Sequence, residues 1–443
     1  MHGSKSRQGV VRLLVGLFSC LLVALVIAGC GGGGSSSSGS SAEGTESAET
    51  TPEAGSEETA QEGEEGSPED VSSGDITAQA EELVKLGEGG VVWGHTEGFQ
   101  KPDTLTSDNS NGIMPFELKG KPKPRTLWFI GLAPTGSYQA ISKILTNAAA
   151  ALGWQVKTVY AEFTPQSYQE QMSAAVRAHP DAIVAGAIPP TLVKQQLAEA
   201  KAAGIKTVNF SGADILGPGF DAQIPTSFNV QNEMLGAYTV AESEGTAKAV
   251  WVNPGAAYAQ LFNNTYAEFL EQCDGCEIKE AKPTEAAVVT PSEAGPFVSS
   301  TLQQNPTAEY LLWPFSEPTF PSALAAVKSA GSSVNLIAPQ GTPASLEAVI
   351  KGESPTVAGD PFTPTDLQVL DVLLRMFEGG KVPAKANEWT APTLIWSANS
   401  KELPEPTIRG IEEWTAENSG WDFLAEYEKA WGVSLAKVFD GVK

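Results

Sequence analysis

The stretch Thr126-Leu-Trp-Phe-Ile-Gly-Leu-Ala-Pro-Thr-Gly-Ser-Tyr-Gln-Ala140 decides the fold class. Residues Leu127 to Ala133 form a mostly apolar run that breaks at Pro134–Gly136, and a helical pattern follows without further punctuation. This order predicts a buried strand, a loop and the first turn of a helix, which is the opening βα unit of an α/β domain. Because ligands of open parallel sheets bind beyond the carboxyl ends of the strands, the loop at 134–138 is a candidate binding loop.

The same alternation of strands and helices continues along the chain. Apolar strands separated by helices predict parallel sheets that are covered on both faces. The predicted strands are 126–133, 155–163, 182–188, 205–210 and 226–230, followed by 247–253, 277–282, 309–315, 334–339, 355–362 and 389–398. A single sheet of so many strands would be unusually wide. We therefore expect two α/β lobes with parallel sheets.

The beginning of the chain has the pattern of an export signal. Lys5, Arg7 and Arg12 precede or open an apolar run that extends to Ala28, as in secretory signal peptides. The run ends at Ile27-Ala28-Gly29-Cys30, which resembles the lipobox of bacterial lipoproteins. The resemblance implies a signal peptide at 1–29, acylation of Cys30 and a lipid anchor on the outer face of the cell membrane. The alternative is a transmembrane anchor, for which the apolar run is near the lower length limit.

Residues 30–90 are predicted to be the lipidated cysteine and a disordered tether. From Gly31 to Glu82 the chain has fourteen acidic residues, no Lys or Arg and no aromatic residue. Such a segment cannot bury enough apolar surface to offset the entropy lost on ordering. Of the net charge of −25, the tether carries −14 and the signal +3, which leaves −14 for the remainder. Because phosphate binding needs basic patches, we exclude nucleic acid as a partner.

Two cysteines, Cys273 and Cys276, bracket an Asp-Gly turn at the end of a predicted helix. In an oxidising compartment this arrangement favours a local disulfide, with free thiols as the alternative. A redox motif would need a thioredoxin-like context, which the sequence lacks. Zinc would need further ligands, but the histidines are His2, His95 and His179, and none has a ligand-like spacing. We expect no metal and no cofactor.

An extracellular hydrolase is a competing function. It would need a nucleophile with a base, or a pair of carboxylates at a pocket. The chain after the signal has two histidines, no Gly-x-Ser-x-Gly motif and no recognisable Ser/His/Asp set. We therefore expect a protein that is not an enzyme.

Taken in order, these elements resemble the type I periplasmic binding proteins, and among them the ribose-binding-like branch, over about residues 124–400. The local matches are Thr126–Tyr138, Leu152-Gly153-Trp154, Ala202-Ala203-Gly204-Ile205-Lys206, Asn232 with Gly236, Gly341-Thr342-Pro343, Thr356-Val357-Ala358 with Pro361, and Gly379-Gly380-Lys381-Val382. No single match is diagnostic, but their shared order and spacing are specific.

The resemblance implies two Rossmann-like lobes joined by a multi-strand hinge, with a small-molecule ligand enclosed between them. Lobe 1 would comprise 124–230 and be completed by 358–395, lobe 2 would comprise 231–357 with the C-terminal tail 396–443, and 91–123 would be a lead-in segment. A monomer of this kind delivers its ligand to the permease subunits of an ABC importer. The alternative is a ligand sensor of the same fold that signals through a membrane receptor or kinase.

The family's ligand contacts come from the loops that follow the strands, which is also where strand-end geometry places them. The matching residues are Thr135, Ser137, Tyr138, Ser211, Asn232, Asn253, Asn263, Phe315, Ser316, Gln340 and Asp360. Several have an ordinary structural alternative. Asn232 is also suited to cap a helix, Asn253 to a turn, and Phe315 to the core.

The candidate set departs from the sugar-binding pattern of the family. The usual Asp-Arg pair falls on Ser211-Gly212, the second-lobe Arg on Asn263, and the Asp before Gly-Thr-Pro on Gln340. The set contains no Lys or Arg, which disfavours an anionic ligand because such a ligand would want a guanidinium fork. We expect a neutral polyhydroxylated or heteroaromatic ligand, with a cation bound through Asp360 as the alternative.

Overall fold

The computed structural model describes residues 73–89, 92–95, 98–100, 115–132, 135–212, 219–225, 228–255, 257–359, 361–382, 391–420 and 422–443. All of them belong to one compact unit, Pro68–Lys443. The predicted signal peptide, Cys30 and most of the predicted tether lie outside the described residues. No helix among the described residues is long and apolar enough to cross a membrane.

The strands are β1 (Val92–His95), β2 (Gly98–Gln100), β3 (Thr126–Leu132), β4 (Gln155–Ala161), β5 (Ala182–Gly186), β6 (Lys206–Gly212), β7 (Ala222–Pro225), β8 (Lys248–Val252), β9 (Glu277–Ala281), β10 (Tyr310–Leu312), β11 (Asn335–Ile337), β12 (Thr356–Gly359) and β13 (Ala391–Ser397). The helices are α1 (Ser73–Glu88), α2 (Gly136–Ala151), α3 (Pro165–Ala178), α4 (Lys194–Ala202), α5 (Phe228–Glu242), α6 (Ala257–Glu271), α7 (Glu285–Val289), α8 (Pro291–Gln304), α9 (Phe320–Ser329), α10 (Pro343–Ile350), α11 (Phe362–Glu378), α12 (Ile408–Asn418) and α13 (Phe423–Trp431).

Lobe 1 is built on a parallel sheet of five strands in the order β4-β3-β5-β6-β7. Strand β3, which lies between β4 and β5, is apolar on both faces. Leu127 and Phe129 pack with α2 and α11 on one face, while Trp128 and Ile130 pack with α3 and α4 on the other. A strand buried on both faces explains why the opening stretch is a nearly continuous apolar run.

Lobe 2 repeats this plan with a parallel sheet in the order β11-β10-β8-β9. Ala249 and Trp251 of β8 pack with α5 and α6, and Val250 and Val252 pack with α8 and α9. The predicted strand at 226–230 is wrong in its second half, because β7 ends at Pro225 and Phe228 opens α5. An apolar residue at every second position over so few residues also fits the first turn of a helix.

A third sheet, in the order β12-β13-β1-β2, lies beside lobe 2 and is antiparallel. A parallel bridge between Ala338 and Val357 connects it to the end of β11. The chain passes from lobe 1 to lobe 2 between β7 and α5, and it returns between β12 and α11. Of the segment 358–395 assigned to lobe 1, α11 packs in the lobe 1 core, whereas Ile395 of β13 packs in the lobe 2 core.

Helix α1 corrects the predicted tether, which was expected to be disordered as far as residue 90. Ile76, Ala80 and Val84 are buried against Met234 and Tyr238 of α5. Their spacing of four places them on one helix face. The average composition of the acidic segment conceals this short apolar stripe, so the prediction is wrong for residues 73–88.

The C-terminal tail packs on lobe 1, so its assignment to lobe 2 is wrong for α13 and the residues after it. Phe423, Tyr427 and Trp431 are buried in the same core as Leu127. Asn147 of α2 donates hydrogen bonds of 2.9 Å to the carbonyls of Val438 and Asp440. Apolar residues at the end of the chain complete the helical layer over the lobe 1 sheet.

Asp371 of α11 connects the segment before lobe 1 and the C-terminal helix α13 to the helical layer over the lobe 1 sheet. Its buried carboxylate accepts hydrogen bonds from Phe116 N at 2.6 Å, from Arg375 Nε at 2.6 Å and from the Trp431 indole at 3.3 Å. A carboxylate buried this completely is tolerated because several donors compensate for its lost hydration. One side chain therefore links the lead-in segment, α11 and α13.

Candidate functional site

The candidate cleft is the region where strand-end loops of lobe 1 and lobe 2 face each other. Its first wall is the N-terminus of α2. Thr135 is the N-cap, and its hydroxyl accepts a hydrogen bond of 3.4 Å from Tyr138 N. The first turn of α2 carries no acidic side chain of its own. Its free N–H groups therefore favour a negative group supplied from elsewhere.

That negative group is Glu317, which comes from lobe 2. Ser137 N donates to Glu317 Oε2 at 3.3 Å, and a methyl group placed on Gly136 would lie 3.3 Å from Glu317 Oε1. Glu317 is partly exposed and belongs to the loop after β10, so this contact joins strand-end loops of the two lobes. Glu317 is not among the residues predicted for the site, although it directly follows Phe315 and Ser316 in the same loop.

Tyr138 packs on the end of β5. A methyl group on Gly186 would lie only 2.7 Å from Tyr138 Cε1, so the absence of a side chain at Gly186 makes room for the ring. Burial raises the pKa of Tyr138 strongly, and the neighbouring Tyr168 and Glu317 raise it further. The phenol is therefore protonated and lies close to Tyr168 and to the cross-cleft carboxylate.

Tyr168 of α3 in lobe 1 also interacts electrostatically with Glu285 of α7 in lobe 2. Burial raises the pKa of Tyr168 to about 12, and the Glu285 carboxylate adds to the shift. Each of these residues lies in the first turn of a helix that follows a strand. That position was the signal that would have identified them, since strand-end loops form ligand sites in such sheets.

Ser316 and Gln340 connect the loops of lobe 2 to each other. Ser316 Oγ donates to the Pro339 carbonyl at 2.6 Å, and Ser316 N donates to Gln340 Oε1 at 3.2 Å. Gln340 N in turn donates to Gln231 Oε1 at 2.8 Å. Gln340 has a φ of 80°, an uncommon value for a residue with a side chain. These bonds fix the positions of the loops after β10 and β11 relative to α5.

Two predicted contact residues, Asn232 and Ser316, are fully buried. Both side chains are enclosed by protein in this structure, and their contact with a ligand stays a prediction. Asn232 is not a helix cap, because α5 begins four residues earlier at Phe228. Its position inside α5 accounts for its burial.

The remaining described candidates lie along the lobe 2 side of the cleft. The ring of Phe315 meets Phe228 edge-on with centroids 6.3 Å apart. Asn253 Nδ2 donates to Glu280 Oε1 at 2.6 Å, and its Oδ1 accepts from Gly255 N at 3.1 Å. Asn253 therefore forms the turn after β8 and positions Glu280, as its turn-forming alternative predicts.

Some predicted residues have no described side chain. Ser211 lies at the end of β6 and Asn263 lies within α6, but only their backbone is described. Asp360 lies outside the described residues. Cys273 and Cys276, outside the cleft, form a disulfide, and their Cα atoms are 5.4 Å apart. In the described parts of the chain, no group of three or more His, Cys, Asp or Glu is placed to hold a metal ion.

The comparisons with known proteins agree with this architecture. The family model of the periplasmic binding protein domain matches residues 133–376. No curated protein matches the chain significantly.

Many solved structures are similar in fold. A glucose-galactose binding protein from Geobacillus stearothermophilus is 14% identical over 64% of this chain and 100% of its own, with a TM-score of 0.56. A carbohydrate transporter from Acidothermus cellulolyticus, in complex with myo-inositol, is 17% identical over 67% and 100%, with a TM-score of 0.53. An ABC sugar transporter subunit from Rhodobacter sphaeroides is 17% identical over 62% and 98%, with a TM-score of 0.53. The predicted two-lobed α/β fold with parallel sheets is confirmed.

Proposed function

We propose, on the premise that this chain belongs to the family of periplasmic binding protein domains, that it is a solute-binding protein which encloses a small polar ligand between its lobes. Strand-end loops of both lobes meet at the cleft, as they do in ligand sites of α/β sheets. The function needs no chemistry from the protein beyond recognition.

The observation that carries this proposal is the hydrogen bond from Ser137 of lobe 1 to Glu317 of lobe 2, at 3.3 Å. Both groups stand in strand-end loops, so a ligand held between the lobes would lie beside them. The contact is single and half-exposed, and contacts of this kind contribute little free energy. It is therefore suited to form when the lobes close and to break when they open.

The chemistry of the cleft favours an uncharged ligand that is rich in hydroxyl groups. An anion would be attracted to the N-terminus of α2, but Glu317 already lies there. Carboxylate and amide oxygens accept hydrogen bonds from ligand hydroxyls, and Glu317, Glu285 and Gln340 supply such oxygens. The Acidothermus structure holds myo-inositol, and the Geobacillus protein is described as binding glucose and galactose.

We further propose that acylation of Cys30 anchors the protein outside the cell membrane, and that it delivers its ligand to an ABC importer. The support is the lipobox-like sequence at Ile27–Cys30 and the family to which the chain belongs. A tether of Gly, Ser and Glu residues between the anchor and α1 would let the lobes reach a membrane partner.

The test is thermal unfolding of the chain from Gly31 to Lys443 in the presence of myo-inositol, glucose and galactose, with glucuronate and glucosamine as charged counterparts. Specific binding raises the melting temperature with ligand concentration. We expect a rise with an uncharged member and none with glucuronate. A rise of the melting temperature with glucosamine alone would mean that the ligand is a cation. A melting temperature that no probe changes would contradict capture of a sugar-like ligand.

A further inference from the structure

Helix α12 (Ile408–Asn418) lies after residue 376, where the family match ends, and it touches both lobes. It begins at Thr407, whose hydroxyl accepts a hydrogen bond of 3.0 Å from Gly410 N. Ile408, Ile411, Glu412 and Thr415 are buried. Residues spaced by three and four positions lie on one face of a helix, and here that face meets two different neighbours.

On the lobe 1 side, α12 is held by one apolar and one polar contact. Ile408 is buried in the core that contains α2 and α11. Glu412 is fully buried and accepts hydrogen bonds from Phe362 N at 2.8 Å, Thr363 N at 2.9 Å and Thr363 Oγ1 at 2.7 Å. These donors are at the N-terminus of α11, where a carboxylate is stabilised by the free N–H groups and the helix dipole.

On the lobe 2 side, α12 is held by apolar contacts alone. Ile411 is buried with Leu346 and Val349 of α10, and Trp414 packs against the same cluster. Val357 of β12 and Trp396 of β13 complete the cluster. One turn of α12 therefore carries Ile411 toward lobe 2 and Glu412 toward lobe 1.

These contacts lie beside the segment by which the chain passes from lobe 2 to lobe 1. Val357 lies in the strand by which the chain leaves lobe 2, and Phe362 is the first residue of the helix by which it enters lobe 1. A rotation of the lobes about this passage changes the distance between the two anchors of α12. Packed apolar contacts and buried hydrogen bonds resist such a change.

We propose that α12 is a hinge strap, a helix that bridges the lobes beside the chain passage between β12 and α11 and limits how far they open. Separation of the lobes beyond the range allowed by α12 would expose Ile411 and part of Trp414 to water. The strap therefore keeps the ligand-free protein close to its closed form, which shortens the movement needed for capture.

This inference rests on the proposed capture of a ligand between the lobes, but its test needs no ligand. Cysteines replacing the exposed Lys201 of α4 and Gln303 of α8 carry spin labels, one on each lobe. The distance distribution between them is measured in the chain from Gly31 to Lys443, alone and with Ile411→Ala. The matched control is Ile141→Ala, which truncates an equally buried isoleucine of α2 inside lobe 1.

We expect Ile411→Ala to lengthen the mean interlobe distance by more than about 2 Å, the scale of a domain rearrangement, and Ile141→Ala to leave it unchanged. Trp414→Ala, which removes a half-buried ring, should also lengthen the mean interlobe distance. This variant tests the proposal if Ile411→Ala does not fold. The proposal is overturned if neither strap variant changes the distance, or if Ile141→Ala changes it equally. A missing thermal shift with every ligand would instead contradict the proposed function alone.

Discussion

Glu317 and Glu412 both lie at the N-terminus of a lobe 1 helix that is not their own, and they differ in almost everything else. Glu317 reaches α2 across the cleft with one hydrogen bond of 3.3 Å and is partly exposed. Glu412 reaches α11 beside the hinge with three hydrogen bonds of 2.7 to 2.9 Å and is fully buried. The same pairing of carboxylate and helix N-terminus is a weak contact when water can replace it and a firm one when water is excluded.

Of the three substitutions, Glu412→Ala should destabilise the protein most, because it removes the buried carboxylate at the N-terminus of α11. Removing the carboxylate leaves the N–H groups of Phe362 and Thr363 and the Thr363 hydroxyl buried without an acceptor. Each unsatisfied group costs about 1 kcal/mol or more, so the free energy of unfolding should fall by about 3 kcal/mol. Urea denaturation followed by circular dichroism measures the loss.

Glu417→Ala is the matched control for this substitution, because Glu417 lies on the same helix and is exposed. It should leave the unfolding midpoint close to that of the wild type. Equal losses of unfolding free energy for the two variants would mean that the hydrogen bonds of Glu412 do not contribute more to stability than an exposed side chain of α12.

Asp366→Asn changes the electrostatic surroundings of Glu412, and we expect from it a smaller change of stability than from Glu412→Ala. Burial raises the pKa of Asp366 well above its ordinary value, and the Glu412 carboxylate raises it further. Among the described residues, Asp366 Oδ2 has no hydrogen-bond partner. The folded protein therefore keeps a proton on Asp366 at pH values where the unfolded chain has released it.

Because the folded state binds more protons at Asp366 in that window, the contribution of Asp366 to the free energy of unfolding falls as pH rises from its unfolded pKa to its raised folded pKa. Asparagine stays neutral at every pH. We expect Asp366→Asn to match the wild type near pH 4 and to exceed its stability at pH 7 by on the order of 1 kcal/mol. Urea titrations between the two pH values test this, with Glu417→Gln as the control, and a parallel pH profile for Asp366→Asn and wild type would contradict it.

Glu317→Gln should change stability least, because it alters a partly exposed carboxylate that accepts one hydrogen bond of 3.3 Å from Ser137 N. The amide keeps an acceptor oxygen for Ser137 N but loses the charge that complements the α2 dipole. The loss should be below about 1 kcal/mol. The same spin-label pair should nevertheless report a larger share of open molecules, because this contact is made only when the lobes are together. A loss of stability as large as that of Glu412→Ala would remove the distinction between the two glutamates.

Much of the fold could be predicted from sequence because its signals are local. The apolar run of β3 and its helical sequel at α2 lie within one short stretch, and the restart of the pattern at β8 predicts the second lobe. Helix α12 was beyond this approach, since its few apolar residues, Ile408, Ile411, Trp414 and Ala416, are interspersed in a mainly polar segment between Pro406 and Gly420. The assignment of the tail to a lobe was also beyond it, because that depends on contacts between distant segments.

The site was predictable only in part, for a related physical reason. Strand-end geometry selects Thr135, Ser137 and Tyr138 correctly as residues at the end of β3 and the start of α2. It does not reveal that Ser137 meets Glu317, a residue 180 positions away. It also does not separate a strand-end side chain that faces the cleft from one that is hydrogen-bonded to a neighbouring loop, as Ser316 is.

The buried C-terminal tail has a consequence for the order in which the molecule folds. Leu127, near the beginning of lobe 1, shares its core with Val438 and Val442, at the very end of the chain. The parallel sheet of lobe 2 is complete by Ile337, about a hundred residues earlier. Contacts between distant segments form only after both segments have been synthesised. Lobe 1 therefore completes its core last, although the strands of its parallel sheet are synthesised before those of the lobe 2 parallel sheet.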